Sequence, residues 1–204
     1  MEYSGKWKQL HYHAKRFYAP IIVSAFQTKT DDVEVWVTND QPSAAEVSVT
    51  AQLMGFDGAV IATEVLTATV AAGAAHMLIR RALTTLAATE ADRGTRFWQL
   101  SLTGTAGGQS FAHVNTQVFT EYKRCTIFPA EVTTAINGFQ VTLTTDRPAL
   151  FVQVNADGLA GEFDDNSLTL LPGQPRTLTF TPKGSITAAA FAQAISVLHL
   201  RATY

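Results

Sequence analysis

The chain has 204 residues, of which 47% are hydrophobic, 10% aromatic and 16% charged. This composition is typical of a folded protein with one large or two small domains, and it excludes an intrinsically disordered chain. The net charge of −2 at pH 7, without a long basic run, gives no electrostatic reason to expect a nucleic-acid or membrane partner.

The first predicted element is a helix over residues 4–18. Ser4 is a candidate N-cap, because its hydroxyl can accept a hydrogen bond from a free amide of the first turn, and Pro20 marks the end. Apolar side chains recur at helical spacing and form one wide stripe: Trp7, Leu10, His11, Ala14, Phe17 and Tyr18. A single helix cannot bury so much aromatic area, so we expect the stripe, with His11 packed in it, to lie against another element.

From Ile21 onward the apolar period changes from about 3.6 to 2, which indicates β-strands. Asp57-Gly58 is a two-residue hairpin signal, and Asp31-Asp32 is predicted to form another hairpin tip. The predicted strands are residues 21–27, 33–38, 47–56, 59–70, 75–83, 96–103 and 109–120. Seven short strands joined by turns predict an antiparallel β-sandwich.

A second, smaller β unit is predicted after the charged residues 121–124. Its strongest local signal is Asn137-Gly138, a hairpin turn between residues 132–136 and 139–144. Further strands are predicted at residues 150–155, 167–170, 176–180 and 196–202, with an Ala-rich helix at residues 185–195. The fold class is therefore all-β: two antiparallel β-sandwiches preceded by one N-terminal α-helix.

The histidines and the acidic segment near residue 165 predict no metal site. On a helix His11 and His13 point about 200° apart, so one ion cannot bind both. The other histidines are scattered through predicted strands: His76, His113 and His199. Asp164-Asp165-Asn166 lacks the alternating ligands, the glycine and the distal glutamate of a calcium loop, and it indicates a turn.

No motif in the chain predicts catalysis. Glycoside hydrolysis needs two carboxyl groups across a cleft, but most of the 17 acidic residues fall on predicted turns or outward strand positions. There is no Gly-x-Ser-x-Gly elbow, Walker loop or dinucleotide-binding glycine motif. Cys125, the only cysteine, has no neighbours that would activate its thiol and cannot close an intrachain disulfide. We therefore predict no catalytic residue and no cofactor.

Trp36 is the one candidate ligand-binding residue. It shares a strand face with Glu34 and Thr38, opposite three alternating valines, so it is predicted to lie outside the core. An outward Trp on a β-sandwich can stack on a sugar ring. The alternative, which the sequence favours, is that Trp36 packs against the N-terminal helix or a neighbouring domain. Trp98, which alternates with Leu100 and Leu102, is predicted to be in the core.

Three segments resemble the β-mannosidases of glycoside hydrolase family 2. Residues 3–20, YSGKWKQLHYHAKRFYAP, resemble the last helix of the catalytic (β/α) barrel, and residues 33–40 resemble an early strand of the first immunoglobulin-like domain that follows it. Residues 161–173, GEFDDNSLTLLPG, resemble a Phe-x-Asp-Asn…Leu-Pro-Gly stretch of the C-terminal immunoglobulin-like domain. Ser167-Leu168 departs from the family, which tends to carry aromatics there.

The resemblance implies that both sandwiches are immunoglobulin-like and that the chain is the C-terminal, non-catalytic accessory region of a retaining exo-hydrolase that removes terminal β-linked mannose. The family's two catalytic glutamates lie on barrel strands, and no glutamate of this chain matches their motifs. The implied domains are residues 1–19, the last helix of a truncated barrel, and two sandwiches at residues 20–124 and 125–204. An alternative function is a carbohydrate-binding module for a mannan-type ligand.

The resemblance also implies a partner for the helix. Trp7, Leu10, Ala14 and Phe17 are expected to pack against the catalytic barrel of the parent enzyme. In the isolated chain we expect the helix to fold back on the first sandwich, to form a homodimer with another copy, or to fray.

Overall fold

The computed structural model describes residues 7–204, which form two compact units. The first sandwich is Arg16–Thr126, and the second sandwich is Ile127–Tyr204 together with residues 7–15. Residues 3–6 of the helix motif, with the predicted N-cap Ser4, lie outside the described residues. The implied domain boundaries at residues 19 and 124 stay a prediction.

The first sandwich consists of two antiparallel sheets. Its strands are β1 (Ile21–Gln27), β2 (Asp32–Asn39), β3 (Ala45–Gly55), β4 (Val60–Val70), β5 (Ala74–Ala82), β6 (Arg96–Ala106) and β7 (Gln109–Val118). One sheet has the order β1-β2-β5, and the other has the order β4-β3-β6-β7. The seven predicted strands are confirmed, with end shifts of up to three residues. Asp31 has a φ of 59°, which makes the predicted tip between β1 and β2 a tight turn.

Alternation along the strands builds the core of the first sandwich. Val33, Val35 and Val37 are fully buried on β2, as their period of two predicts. They pack in one cluster with residues of the facing sheet that include Trp98 and Leu100 on β6. Each such side chain contributes about 1.5–3 kcal/mol through burial, so this cluster is the main source of stability in the unit.

Two short helices interrupt the connection between β5 and β6, and neither was predicted from the sequence. They are α2 (Leu83–Leu86) and α3 (Glu90–Thr95). Thr89 caps α3, because its hydroxyl accepts from the Asp92 amide while the Asp92 carboxylate accepts from the Thr89 amide. The capping pattern Thr-x-x-Asp was the available signal, but the helix has only six residues and no apolar period of its own.

The second sandwich also has two antiparallel sheets, with one longer helix attached. Its elements are α1 (Gln9–Phe17), whose last two residues belong to the first sandwich, β8 (Val132–Asn137), β9 (Gln140–Thr145), β10 (Ala149–Ala156), β11 (Gly161–Phe163), β12 (Leu168–Leu170), β13 (Arg176–Pro182), α4 (Ala188–Ala194) and β14 (Ile195–Leu198). The sheet orders are β12-β10-β14 and β11-β13-β9-β8. Strand β11 was not predicted, and the expected last strand ends at Leu198, where a 3₁₀ turn over Leu200–Thr203 follows.

Phenylalanine rings and one buried amide organise this second core. Phe163, Phe180 and Phe191 pack together, with ring centroids of Phe180 and Phe191 5.0 Å apart. Asn166 is buried, and its side chain bonds both the amide and the carbonyl of Val154, at 2.9 and 2.8 Å. The acidic segment is thus a structural connection that ties β12 to β10.

Candidate functional site

Tyr12 holds helix α1 on the second sandwich. The residue is 4% exposed, and its hydroxyl forms hydrogen bonds with the backbone of Phe163 and the side chain of Asn166. Burial raises the pKa of Tyr12 above its ordinary value because the phenolate would lose hydration, although both hydrogen bonds oppose the shift. The predicted apolar stripe does not include Tyr12, so the residue that docks the helix was not predicted from the sequence.

Polar residues of α1 complete the docking. His13 Nε2 lies 2.9 Å from Ser167 Oγ, and Lys15 Nζ donates to the Asp164 carbonyl at 2.8 Å. Gln9 Nε2 donates to Gln153 Oε1. These residues lie off the predicted stripe, so the helix turns its polar side to the second sandwich.

The stripe itself is mostly exposed. Leu10 is 71% exposed, Phe17 50% and Tyr18 81%, and His11 is exposed as well. The expectation of a packed His11 is therefore wrong, because the helix docks through Tyr12, one position further along. We call Leu10, Phe17 and Tyr18 the exposed helix face.

Trp7 and Ala14, the remaining residues expected to contact a barrel, are partly buried in this chain. The Trp7 ring lies 3.8 Å from the His11 ring and 5.5 Å from the Tyr12 ring, measured between centroids. Trp7 also lines a cavity of about 20 Å³ beside Tyr12 and Asn166, which has room for about one water molecule. Trp7 therefore already packs in part against the second sandwich.

Trp36 lies on the outer face of the β1-β2-β5 sheet. It pairs with Ser24 of β1 and Met77 of β5, while its neighbours in sequence point into the core. Met77 is 38% exposed, and Phe26, which pairs with Glu34 one row away, is 47% exposed. We call Phe26, Trp36 and Met77 the Trp36 platform.

A buried carboxylate fixes the Trp36 indole. Trp36 Nε1–H donates to Glu34 Oε2 at 2.8 Å, and Arg80 of β5 donates to the other carboxylate oxygen. Glu34 is only 5% exposed. The Trp36 hydrogen bond lowers the pKa of Glu34, the Arg80 hydrogen bond and charge lower it further, and burial opposes them. Glu34 was predicted only as an outward neighbour, because nothing in the sequence pairs it with Arg80.

Within the part of the chain that the structure describes, the other chemistry-bearing residues are not assembled into a site. Burial raises the pKa of the Cys125 thiol to about 11, so the thiolate is scarce at neutral pH. Within residues 7–204, no group of three or more His, Cys, Asp or Glu side chains is placed to hold a metal ion. No helix in this part of the chain has the length and apolar character needed to cross a membrane.

The fold defines a class: a chain of two immunoglobulin-like β-sandwiches. Two family models together match residues 31–203. Residues 31–124 match the mannosidase Ig/CBM-like domain, and residues 124–203 match the Ig-fold domain of mannosidases. The chain therefore carries the immunoglobulin-like domains of β-mannosidase-type proteins.

Curated relatives support the same family. The chain is 26% identical to the β-mannosidase of Capra hircus over 211 positions, which cover 100% of this chain and 24% of that protein. It is 27% identical to the β-mannosidase A of Neosartorya fischeri, over 92% of this chain and 22% of that protein. The chain thus spans about a quarter of the length of these relatives.

Solved structures share the fold. A β-D-mannosidase from Dictyoglomus thermophilum superposes with a TM-score of 0.74 at 16% identity, over 94% of this chain and 23% of that one. An exo-chitosanase from Amycolatopsis orientalis gives 0.54 at 17% identity, over 93% and 26%. In both solved structures the matching region is about a quarter of a much longer chain.

Proposed function

We propose that this chain is a non-catalytic accessory region of a β-mannosidase, whose catalytic domain removes terminal, non-reducing β-D-mannose residues. The sandwiches brace that domain and form part of the outer surface of the enzyme. The observation that carries the proposal is the exposed helix face: α1 is docked by its polar side, and its apolar side is left for another partner.

The exposed helix face presents two aromatic rings and one large aliphatic side chain to solvent. Phe17 and Tyr18 have ring centroids 4.7 Å apart and are 50% and 81% exposed, and Leu10, earlier on the same helix, is 71% exposed. Contiguous exposed apolar surface marks an interaction site in soluble proteins. Residues 3–20 resemble the last helix of a barrel, and the relatives are about four times longer, so the catalytic domain is the occupant we propose.

Reading the coding DNA upstream of Met1 tests this proposal directly. An open frame that continues into a barrel with two strand-end glutamates is expected. A stop codon followed by a translation start at Met1 would overturn it. In the longer protein, Leu10→Glu with Phe17→Glu should lower thermal stability and β-mannosidase activity together, whereas Val65→Glu, at a 61% exposed site on β4, should leave both unchanged.

The isolated chain offers a second test of the exposed helix face. Sedimentation at rising concentration should show a monomer, and the purified chain should not hydrolyse a chromogenic β-mannoside. A dimer that the Leu10→Glu variant abolishes would make a second copy the occupant. Turnover that survives repeated purification and responds to mutation would overturn the non-catalytic assignment.

A specific observation favours carbohydrate binding as a second candidate function. The Trp36 N–H is already bonded to Glu34, so the ring is fixed and offers a ligand only its apolar face. The C–H face of a pyranose suits such a surface, and Phe26 and Met77 extend it. Titration with manno-oligosaccharides should change Trp fluorescence in the wild type but not in Trp36→Ala, with Val65→Ala as the control. No response at millimolar sugar would count against it.

A further inference from the structure

His113 of β7 uses both of its ring nitrogens inside the first sandwich. The residue is 9% exposed and pairs across the sheet with the buried Leu102 of β6. The Val23 amide donates to His113 Nδ1 at 3.3 Å, and His113 Nε2 lies 3.2 Å from the Arg16 carbonyl oxygen. One imidazole thus connects β7 to β1 and to the segment that precedes β1.

These partners admit only one protonation state of the ring. A backbone N–H can only donate, so Nδ1 of His113 must present a lone pair to Val23. A carbonyl oxygen can only accept, so Nε2 must carry the proton that is donated to Arg16. In the imidazolium, Nε2–H still donates to the Arg16 carbonyl. Its Nδ1 also carries a proton, which faces the Val23 N–H, so the hydrogen bond to Val23 is lost.

The Val23 amide has no alternative acceptor in the strand ladder. The Asp40 amide donates to the Pro20 carbonyl at 2.8 Å, which starts the bonded series between β1 and β2. Bonded pairs alternate with non-bonded pairs in an antiparallel ladder, so Ile22 and Thr38 form the next bonded pair. Val23 therefore points its amide away from β2, at the open edge of the sheet. Val23 is fully buried, so water does not replace His113.

The surrounding charges do not favour an imidazolium. Strands β1 and β7 contain no charged residue, and the only one on β6 is Arg96 at its start. Arg16 is the charged residue whose carbonyl meets the ring. Burial lowers the pKa of His113 below its ordinary value, the bond to the Arg16 carbonyl opposes this, and the Arg16 charge adds to the lowering.

We propose that His113 is a pH-sensitive switch: its protonation in mildly acidic solution breaks the bond to Val23 and loosens the attachment of residues 16–23 to β7. The direction of this pH dependence follows from the lowered pKa of His113 in the folded state. The stabilisation is complete above the unfolded-state value of about 6.5 and is lost as the pH falls through the lower folded-state value. This inference does not depend on the proposed function.

Hydrogen exchange of the whole chain tests the switch. The protection factor of the Val23 amide, measured by NMR between pH 7.5 and pH 5, should fall about tenfold or more, the factor expected for one lost buried hydrogen bond. The Val49 amide in the core of β3 should keep its protection, which separates local opening from global unfolding. Unchanged Val23 protection while His113 titrates would overturn the proposal.

A matched pair of variants isolates the imidazole. In His113→Gln the amide oxygen can accept from Val23 and the amide nitrogen can donate to Arg16, but the group does not titrate, so Val23 protection should no longer depend on pH. His76→Gln, at an exposed histidine on β5, should keep the wild-type response. A His113→Gln protein that retains the wild-type pH dependence would contradict the proposal.

The wild-type ring gives a readout that does not depend on any variant folding. ¹⁵N shifts of His113 should show the Nε2–H tautomer at pH 7.5 and a titration midpoint below about 6.5. An Nδ1–H tautomer, or a midpoint at or above that value, would overturn the assignment.

Discussion

His13 Nε2 lies 2.9 Å from Ser167 Oγ, although 154 positions separate the two residues in the chain. The contact joins two of the three segments whose sequence resembles β-mannosidases, residues 3–20 and residues 161–173. Ser167 has a φ of 53°, and it is one of the two positions, with Leu168, where the resemblance implies an aromatic residue. The departure from the family pattern thus coincides with a docking contact of α1.

Tyr12→Phe should destabilise the second sandwich by about 1–2 kcal/mol. The ring stays buried, but Asn166 and the Phe163 backbone lose a hydrogen-bond partner. Tyr12→Ala should cost about 3–5 kcal/mol, because it also leaves a cavity. Urea unfolding followed by circular dichroism measures both values.

Tyr18→Phe is the matched control for Tyr12. Tyr18 is 81% exposed, so loss of its hydroxyl should change the free energy of unfolding by less than about 0.5 kcal/mol. If Tyr12→Phe is as stable as the wild type, the hydroxyl does not anchor α1.

Asn166→Asp should destabilise the protein by about 2–3 kcal/mol at pH 7. The amide nitrogen that donates to the Val154 carbonyl becomes a carboxylate oxygen, which leaves that buried carbonyl without its donor. The loss should shrink in acid, where the protonated carboxyl can donate again. Asn137→Asp, at an exposed position of the β8–β9 hairpin, is the control and should show neither effect.

The sequence predicts the strands because the alternation of apolar and polar residues within each strand shows which side chains are buried. Val33, Val35 and Val37 alternate regardless of what covers them, and all three are buried. The docking side of α1 could not be predicted in this way. Leu10 and Phe17 are more apolar than Tyr12, but Tyr12 is the residue that is buried, because its hydroxyl finds partners more than 150 positions away.

Of the candidate site around Trp36, only Trp36 itself was predicted from the sequence. Alternation places Trp36 on the outer face of its sheet. The burial of Glu34 depends on Arg80, which lies opposite Glu34 in the β2–β5 pairing. That pairing follows a long connection between the two strands and contains a bulge, so the sequence does not predict it. Short elements such as α3 and β11 carry too few residues for a period to show.

Glu34 should make the first sandwich sensitive to acid. Its pKa is lowered in the folded state, mainly by the Trp36 hydrogen bond, so its contribution is present above the unfolded-state value of about 4.5 and is lost as the pH falls through the folded-state value. Wild type should therefore be more stable than Glu34→Gln at pH 7, with a difference that shrinks below about pH 4.5. Urea unfolding at several pH values, followed by Trp fluorescence, measures this.

Glu64→Gln is the control for Glu34. Glu64 pairs with Arg81 at 2.9 Å, but both side chains are about 40% exposed. An exposed ion pair contributes about 0–1 kcal/mol, so this variant should stay close to the wild type at every pH. An equal pH response in the two variants would show that the buried Glu34 network has no special role.

Gly104→Ala should destabilise the first sandwich by about 2–3 kcal/mol through overpacking. A Cβ at Gly104 of β6 would lie 2.2 Å from the Glu46 carbonyl oxygen and 2.6 Å from the Phe111 ring. The Glu46 carbonyl belongs to β3, so it can move only by distorting the β3–β6 ladder.

Gly108→Ala is the comparison, because Gly108 has a φ of 79° but open space around its Cβ position. That variant should cost only about 1–2 kcal/mol of backbone strain. Thermal and urea unfolding of both variants separate the two effects, and a Gly104→Ala protein more stable than Gly108→Ala would contradict the close approach of β3 and β6 at this position.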